Sequence, residues 1–299
     1  MEHVRWLAQP TLRNPTIIAA FTGWNDAGDA ASNGVRQFIE GWNAAPLGEI
    51  DPEEFTDFAT VRPHVRLTAE KRRTIVWPTV TLWSASTPGG DVILLLGPEP
   101  ALRWRLFCEQ ILGVAKRYDS PMLVTMGALL ADVPHTRPVR VMGTATDQQM
   151  IDRFDLQRST YEGPTGIVGV LQDMCLSEGM STASLWAAVP AYAAQVSSPK
   201  AALALIERTA DIVGCPAPTG ALPDQSLAYE RQVTALAEAD SDIVEYVQRL
   251  EQMADDGEMD DVDDDDSDDR GDDASARPAP SSEDLVAEVE RFLRDQGST

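Results

Sequence analysis

Between two apolar runs, Met122-Leu-Val-Thr-Met126 and Val139 to Thr144, the chain groups an acid, an imidazole, a hydroxyl and a guanidinium: Asp132, His135, Thr136 and Arg137. Open parallel sheets bind ligands beyond the carboxyl ends of their strands, so a polar loop following a strand is where such groups would meet a substrate or a partner. The same residues also suit a lock, with Arg137 pairing Asp132 to hold the loop shut. A second group, Gly23, Asn25, Asp26 and Gly28, lies in Phe21-Thr-Gly-Trp-Asn-Asp-Ala-Gly28. A glycine turn between a strand and a helix presents backbone N–H groups at the positive helix end, a place for phosphate or carboxylate. Asn25 and Asp26 equally suit caps of that helix. The third, Tyr161-Glu-Gly-Pro-Thr-Gly166, is a turn-rich helix entry with Thr165 as a candidate cap and Glu162 as its one acid.

Other chemistries have no pattern here. The chain contains no G-x-S-x-G, H-E-x-x-H or C-x-x-C, and neither G-x-G-x-x-G nor G-x-x-x-x-G-K-[ST]. His3 is near the start and His64 sits beside Pro63, so no His/Cys grouping proposes zinc, and neither a metal nor a cofactor is expected. Cys108, Cys175 and Cys215 are far apart, two of them in apolar helical patterns, which predicts buried reduced thiols. The net charge is −24, of which the stretch from Glu251 to Asp273 supplies fourteen acids against the single base Arg270. The remainder is acidic too, which disfavours a nucleic-acid partner. No apolar run approaches the length of a membrane span and no leader pattern opens the chain, so a cytoplasmic protein without a membrane partner is expected.

Short apolar runs alternating with helical periodicity predict a layered, largely parallel α/β sheet with flanking helices. Strands are expected at Thr16 to Phe21, across Thr74 to Ser84 as one strand or a pair broken at Pro78, and at Asp91 to Leu96, Met122 to Met126, Val139 to Thr144 and Thr182 to Val189. The continuous apolar run Asp91 to Leu96 fits a strand covered on both faces. Helices are expected at Gly28 to Trp42, after Pro100 as far as Arg117, at Gly166 to Glu178, and at Pro199 to Val213. The chain then divides into a core at 1–222, a helical extension at 223–254 with Asp240 or Ser241 as a cap, a disordered acidic linker at 255–280 and an amphipathic helix at 281–295. Leu285, Val289, Phe292 and Leu293 share one face of that last helix, which marks it as a docking element.

Several ordered blocks carry a family resemblance: Ile17 to Gly28, Leu94-Leu-Leu-Gly-Pro-Glu-Pro100, Gly166-Ile-Val-Gly169, and Ser184-Leu-Trp-Ala-Ala-Val-Pro-Ala-Tyr192 followed by Pro199. Over roughly residues 10 to 215 the chain resembles the proteasome assembly chaperone family, as a bacterial member similar to the second proteasome assembly chaperone. The resemblance implies a nucleoside-phosphorylase-like core and a non-enzymatic, self-associating protein whose partners are proteins, proteasome subunits among them. Eukaryotic members of this kind dock through a C-terminal hydrophobic-Tyr-any tail, a mode that the ending Gln296-Gly-Ser-Thr299 does not support. The phosphorylase-like core implies an alternative, a small-molecule enzyme of nucleoside phosphorylase or hydrolase type. In it Gly23 to Gly28 would take phosphate or carboxylate, and Asp132, His135, Arg137 and Glu162 would surround the substrate.

Overall fold

The computed structural model describes residues 1–257, so the terminal helix expected at 281–295 and the acidic linker beyond Gly257 lie outside the described residues. In chain order the elements are β1 (Val4–Trp6), β2 (Thr16–Thr22), α1 (Ala30–Gly41), β3 (Ala45–Ile50), β4 (His64–Leu67), β5 (Arg73–Val76), β6 (Val80–Thr87), β7 (Gly90–Pro98) and α2 (Trp104–Arg117). They continue with β8 (Met122–Ala131), β9 (Val141–Ala145), α3 (Gln148–Phe154), α4 (Ile167–Ser177), β10 (Ser181–Pro190), α5 (Pro199–Val213), α6 (Leu222–Ala237) and α7 (Ser241–Asp256).

Eight strands form one sheet in the order β1-β3-β6-β7-β2-β8-β10-β9. The four central strands, β7, β2, β8 and β10, are parallel, while β1, β3 and β6 on one side and β9 on the other pair antiparallel. Parallel strands need crossover helices, and these cover both faces, which is why the central strands read as unbroken apolar runs. Ile17 to Phe21 and Val92 to Leu95 are all fully buried. One core layer packs Ile18, Leu94, Val124 and Leu185 against Val35 and Phe38 of α1 and Leu205 and Ile206 of α5. The other packs Ile17, Phe21, Ile93 and Leu95 against Phe107 and Ile111 of α2 and Ile167 and Leu171 of α4. The expected layered α/β fold with a parallel centre is what the chain forms.

The connectivity places a crevice. Strands β2 and β7 are neighbours, ending together at Thr22 and Pro98, yet α1 leaves β2 toward one face and α2 leaves β7 toward the other. Such a switch point opens a cleft beyond the strand ends, the usual ligand position in this architecture.

Two local expectations change, and one open alternative is decided. Strand β8 does not stop at Met126 but continues to Ala131, pairing residue by residue with β10. Gly127, the first residue past the expected strand end, is instead an in-strand close approach: a Cβ there would lie 2.7 Å from the Trp186 ring. The segment around Pro78 is a pair of strands, and they lie in different sheets, since β5 pairs only with β4 while β6 joins the main sheet. The edge strand expected at Val139 to Thr144 forms two residues later, as β9.

The free thiols Cys108, Cys175 and Cys215 are all buried. Burial pushes the Cys108 and Cys175 thiols up to about 12, so both are inert as nucleophiles.

Candidate functional site

The predicted residues fall into two separate hydrogen-bond networks, with Glu162 apart from both. The first lies at the switch-point crevice. Gly23, at φ +119, lets the chain turn sharply out of β2, and the Asn25 carbonyl is tied to the β8 strand by the Ala128 N–H at 2.9 Å. Asn25 is fully buried and donates through Nδ2 to Glu99 Oε1 at 2.8 Å. The same Glu99 oxygen accepts the Ile167 N–H, the first of α4, at 2.8 Å. Asp26 is 6% exposed and accepts the Ser32 N–H in the first turn of α1 at 3.0 Å. Burial raises its pKa above the ordinary carboxylate value, against the lowering effect of the Ser32 bonds.

The glycine turn therefore does hold a carboxylate at a helix N-terminus, but the carboxylate is the protein's own. Asp26 fills the α1 end and Glu99 fills the α4 end. Of the two capping candidates, Asp26 accepts a first-turn N–H of α1 and Asn25 does not, while Asp29 occupies the N-cap position itself. Asn25 Oδ1 and Asp26 Oδ2 are buried without a protein hydrogen-bond partner. Gly28, at φ +57, closes the turn, its carbonyl accepting the Ser198 N–H at 2.7 Å where α5 begins.

The second network is the loop after β8. His135 is 3% exposed. Its Nδ1 lies 2.8 Å from Tyr192 Oη and its Nε2 lies 2.9 Å from Thr234 Oγ1. One tautomer satisfies the whole chain of bonds. The Tyr192 hydroxyl accepts the His135 backbone N–H at 2.8 Å and donates to Nδ1, the Nε2 proton goes to Thr234, and Thr234 donates to the Glu230 carbonyl at 2.8 Å. This is a neutral imidazole. Burial, followed by the nearby Lys200 cation, holds its pKa below the ordinary histidine value, while the acids Glu251 and Glu230 pull the other way. Lys200, in the first turn of α5, donates to the carbonyls of His135 and Arg137 at 2.7 and 2.6 Å and pairs with Glu230 at 2.5 Å.

The remaining side chains of this loop reach the C-terminal helices. Asp132 accepts the Tyr246 hydroxyl at 2.6 Å, Thr136 bonds Glu251, and Arg137 forms a two-pronged pair with Asp255, both bonds 2.7 Å. The expected Arg137–Asp132 lock is thus corrected: Arg137 pairs with Asp255 and, at 3.5 Å, with Glu251, because α7 brings its acids over the loop. Arg137→Ala should loosen α7 without unfolding the core. Faster amide exchange confined to residues 241–256, at an unchanged melting temperature, is the expected result in hydrogen-exchange mass spectrometry.

Glu162 sits on the exposed turn ahead of α4 and belongs to neither network. A groove of about 480 Å³ between α1 and α6 is lined by Asn33, Arg36, Gln37 and Tyr229 and by none of the nine predicted residues. Among the described residues no group of three or more His, Cys, Asp or Glu is placed to hold a metal, and no helix is long and apolar enough to cross a membrane. Sequence reasoning missed Glu99 and Lys200 as the residues on which the two networks converge. Glu99 had a visible signal, since Gly97-Pro-Glu-Pro100 places an acid directly after a buried strand.

The PAC2 family pattern matches residues 20–237. The chain belongs to the PAC2 family. The matched span runs from β2 to the end of α6, so the PAC2 region contains Asn25, Glu99, His135 and Lys200, while the acids of α7 lie beyond it. A PAC2 family protein from Streptomyces avermitilis is 43% identical with a TM-score of 0.72, covering 78% of this chain and 99% of that one. The proteasome-assembly chaperone homologue of Mycobacterium tuberculosis is 42% identical with a TM-score of 0.71, over the same shares. An archaeal proteasome activator from Pyrococcus furiosus shares the fold at 16% identity, with a TM-score of 0.63 over 78% of this chain and 97% of its own. No curated protein matches the chain.

Proposed function

We propose that this PAC2 protein is a non-enzymatic chaperone that holds protein partners through its α/β core, with proteasome subunits as the first candidates. The observation that carries the reading is the self-filled crevice. Both helix N-termini that would receive a substrate anion already hold Asp26 and Glu99, and both ring nitrogens of His135 are engaged in a buried network. The 42% identity to a proteasome-assembly chaperone homologue names the partner class to test first. The cytoplasm is the compartment proposed, where three buried reduced thiols are at home. Affinity capture of the tagged full-length chain from its own cells should enrich proteasome α-subunits over an unrelated acidic bait. Equal recovery on both baits would count against the reading.

One observation favours the alternative, a small-molecule enzyme of nucleoside phosphorylase or hydrolase type: Asn25 Oδ1 and Asp26 Oδ2 are buried at the switch point and lack protein partners. A ligand there at a hundred times its dissociation constant would add about 2.7 kcal/mol of stability. Thermal-shift measurements with nucleosides, inorganic phosphate and ribose 1-phosphate are expected to show no such stabilisation. A clear upward shift with any of them would restore the enzyme reading.

A further inference from the structure

Helix α7 begins after residue 237, where the PAC2 match ends, yet it rests on a loop inside the matched span. Its hold there is shallow. Val247 and Leu250 are its two buried residues, and neither belongs to the two core layers. The side chains of the β8 loop tie down the rest: Asp132 accepts the Tyr246 hydroxyl at 2.6 Å, Thr136 bonds Glu251, and Arg137 grips Asp255 with both prongs at 2.7 Å. The Tyr192 ring forms the floor, edge-on to Tyr246 at 6.0 Å.

The helix is ill suited to standing alone. Its acids Asp242, Glu245, Glu251, Asp255 and Asp256 face the single base Arg249. Its last turn carries Asp255 and Asp256 and no base, so these charges lie at the negative end of the helix dipole. Arg137, from outside the helix, supplies the missing cation. An element with so little buried apolar surface and mostly exposed polar ties opens at a low free energy. When it lifts, Arg137 gives up both carboxylates and Asp132 gives up the Tyr246 hydroxyl. The loop then presents a guanidinium fork, a carboxylate and an aromatic floor side by side.

We propose that this face is a docking seat for an acidic amphipathic helix of a partner protein, and that α7 is its resident stand-in, displaced when the partner binds. The stand-in defines what fits. Two carboxylates one turn apart, as at Glu251 and Asp255, answer the Arg137 fork, while apolar residues at the Val247 and Leu250 positions fill the centre. A hydroxyl at the Tyr246 position answers Asp132. A helix with bases in place of those two acids would meet Arg137 with like charge. The inference deepens the chaperone reading by naming a surface and a partner chemistry, and it rests on that reading in taking the partner to be a protein. Peptide binding at this seat and capture of proteasome subunits can fail independently.

Fluorescence anisotropy on the full chain, with a labelled synthetic peptide of residues 241–257 as the probe, tests it. Wild type should bind the peptide weakly, because its own α7 holds the seat most of the time. The variant E251Q/D255N, which weakens the resident latch, should bind the peptide at least about tenfold more tightly. Adding R137E to that variant should abolish the gain, and so should E251K/D255K in the peptide. A second measurement needs no variant. Excess peptide added to isotope-labelled wild-type chain should speed amide exchange within residues 241–256 of the chain, which mass separates from the peptide. Equal affinity of wild type and E251Q/D255N, a gain that survives R137E, undiminished binding of the E251K/D255K peptide, or unchanged exchange of α7 under excess peptide overturns the proposal.

Discussion

His135→Ala should lower the free energy of unfolding by about 2–4 kcal/mol, through a cavity plus hydrogen bonds left unmade. The ring is 3% exposed and joins Tyr192, in the short turn just after β10, to Thr234 in the last turn of α6. Removing it leaves the Tyr192 hydroxyl, whose pKa burial already raises to about 12, without an acceptor for its proton and cuts the direct side-chain link from the β8 loop to Thr234 of α6. Chemical denaturation of wild type and variant measures the loss, and a change below about 0.5 kcal/mol would show that the network contributes nothing net.

The same histidine makes a pH prediction with a definite sign. Its folded pKa is lowered from 6.5, so the unfolded chain takes up the proton first as pH falls. The stability due to neutral His135 is therefore fully present above about 6.5 and is lost progressively as pH drops toward the lowered folded value. Protonation would also force Nδ1 to become a donor against the Tyr192 hydroxyl, which has no second acceptor in the network. His135→Gln, which cannot titrate, should flatten the stability profile below about pH 6.5 relative to wild type. Parallel profiles for the two proteins would falsify the neutral assignment.

The second large effect is expected at Gly166→Ala, a loss of about 3 kcal/mol. Its φ of −88 is ordinary, so no backbone strain is involved. The obstacle is space: a Cβ would lie 2.3 Å from Asn25 Oδ1 and 2.9 Å from both Asn25 Nδ2 and Glu99 Oε1. Asn25 is fully buried and Glu99 is held by two bonds, so neither yields without leaving polar groups unpaired. Gly113→Ala provides the contrast. The nearest atom to its Cβ would be Met1 Cγ at 2.3 Å, but Met1 is a half-exposed terminal side chain that can swing aside, and alanine inside α2 gains helix propensity, so this variant should be neutral or more stable by up to about 1 kcal/mol. Equal stability of the two variants in urea unfolding would refute the close-packing account of the crevice.

The parts of the fold legible from sequence were those whose signal is local. Ile17 to Phe21 and Val92 to Leu95 are apolar without interruption because helices cover both their faces, and α1, α2, α4 and α5 show the stripe that a one-sided burial imposes. The misread positions were those where a neighbour distant in sequence decides. Gly127 resembles a strand breaker until Trp186, on the adjacent strand, is seen to need its missing side chain. The β4–β5 arm offered no alternation of apolar and polar residues toward the main core, because it does not pack on that core.

The candidate site divides in the same way. Residue types placed Asn25, Asp26, Asp132, His135 and Arg137 at strand ends, and the structure puts them there. Their partners were out of reach. Glu99 meets Ile167 across 68 residues and His135 meets Thr234 across 99, and in a chain with 48 acids nothing in the spacing singles out Glu251 or Asp255 for Arg137. Burial of a strand or helix face is written into consecutive residues as a period, so the amino-acid order was sufficient for the layered architecture and for the family blocks. Hydrogen-bond pairing selects one of many chemically equivalent groups by proximity alone. Only the folded chain could therefore decide that the carboxylates of the crevice fill its own helix ends, and that the histidine of the long loop is a buried strut.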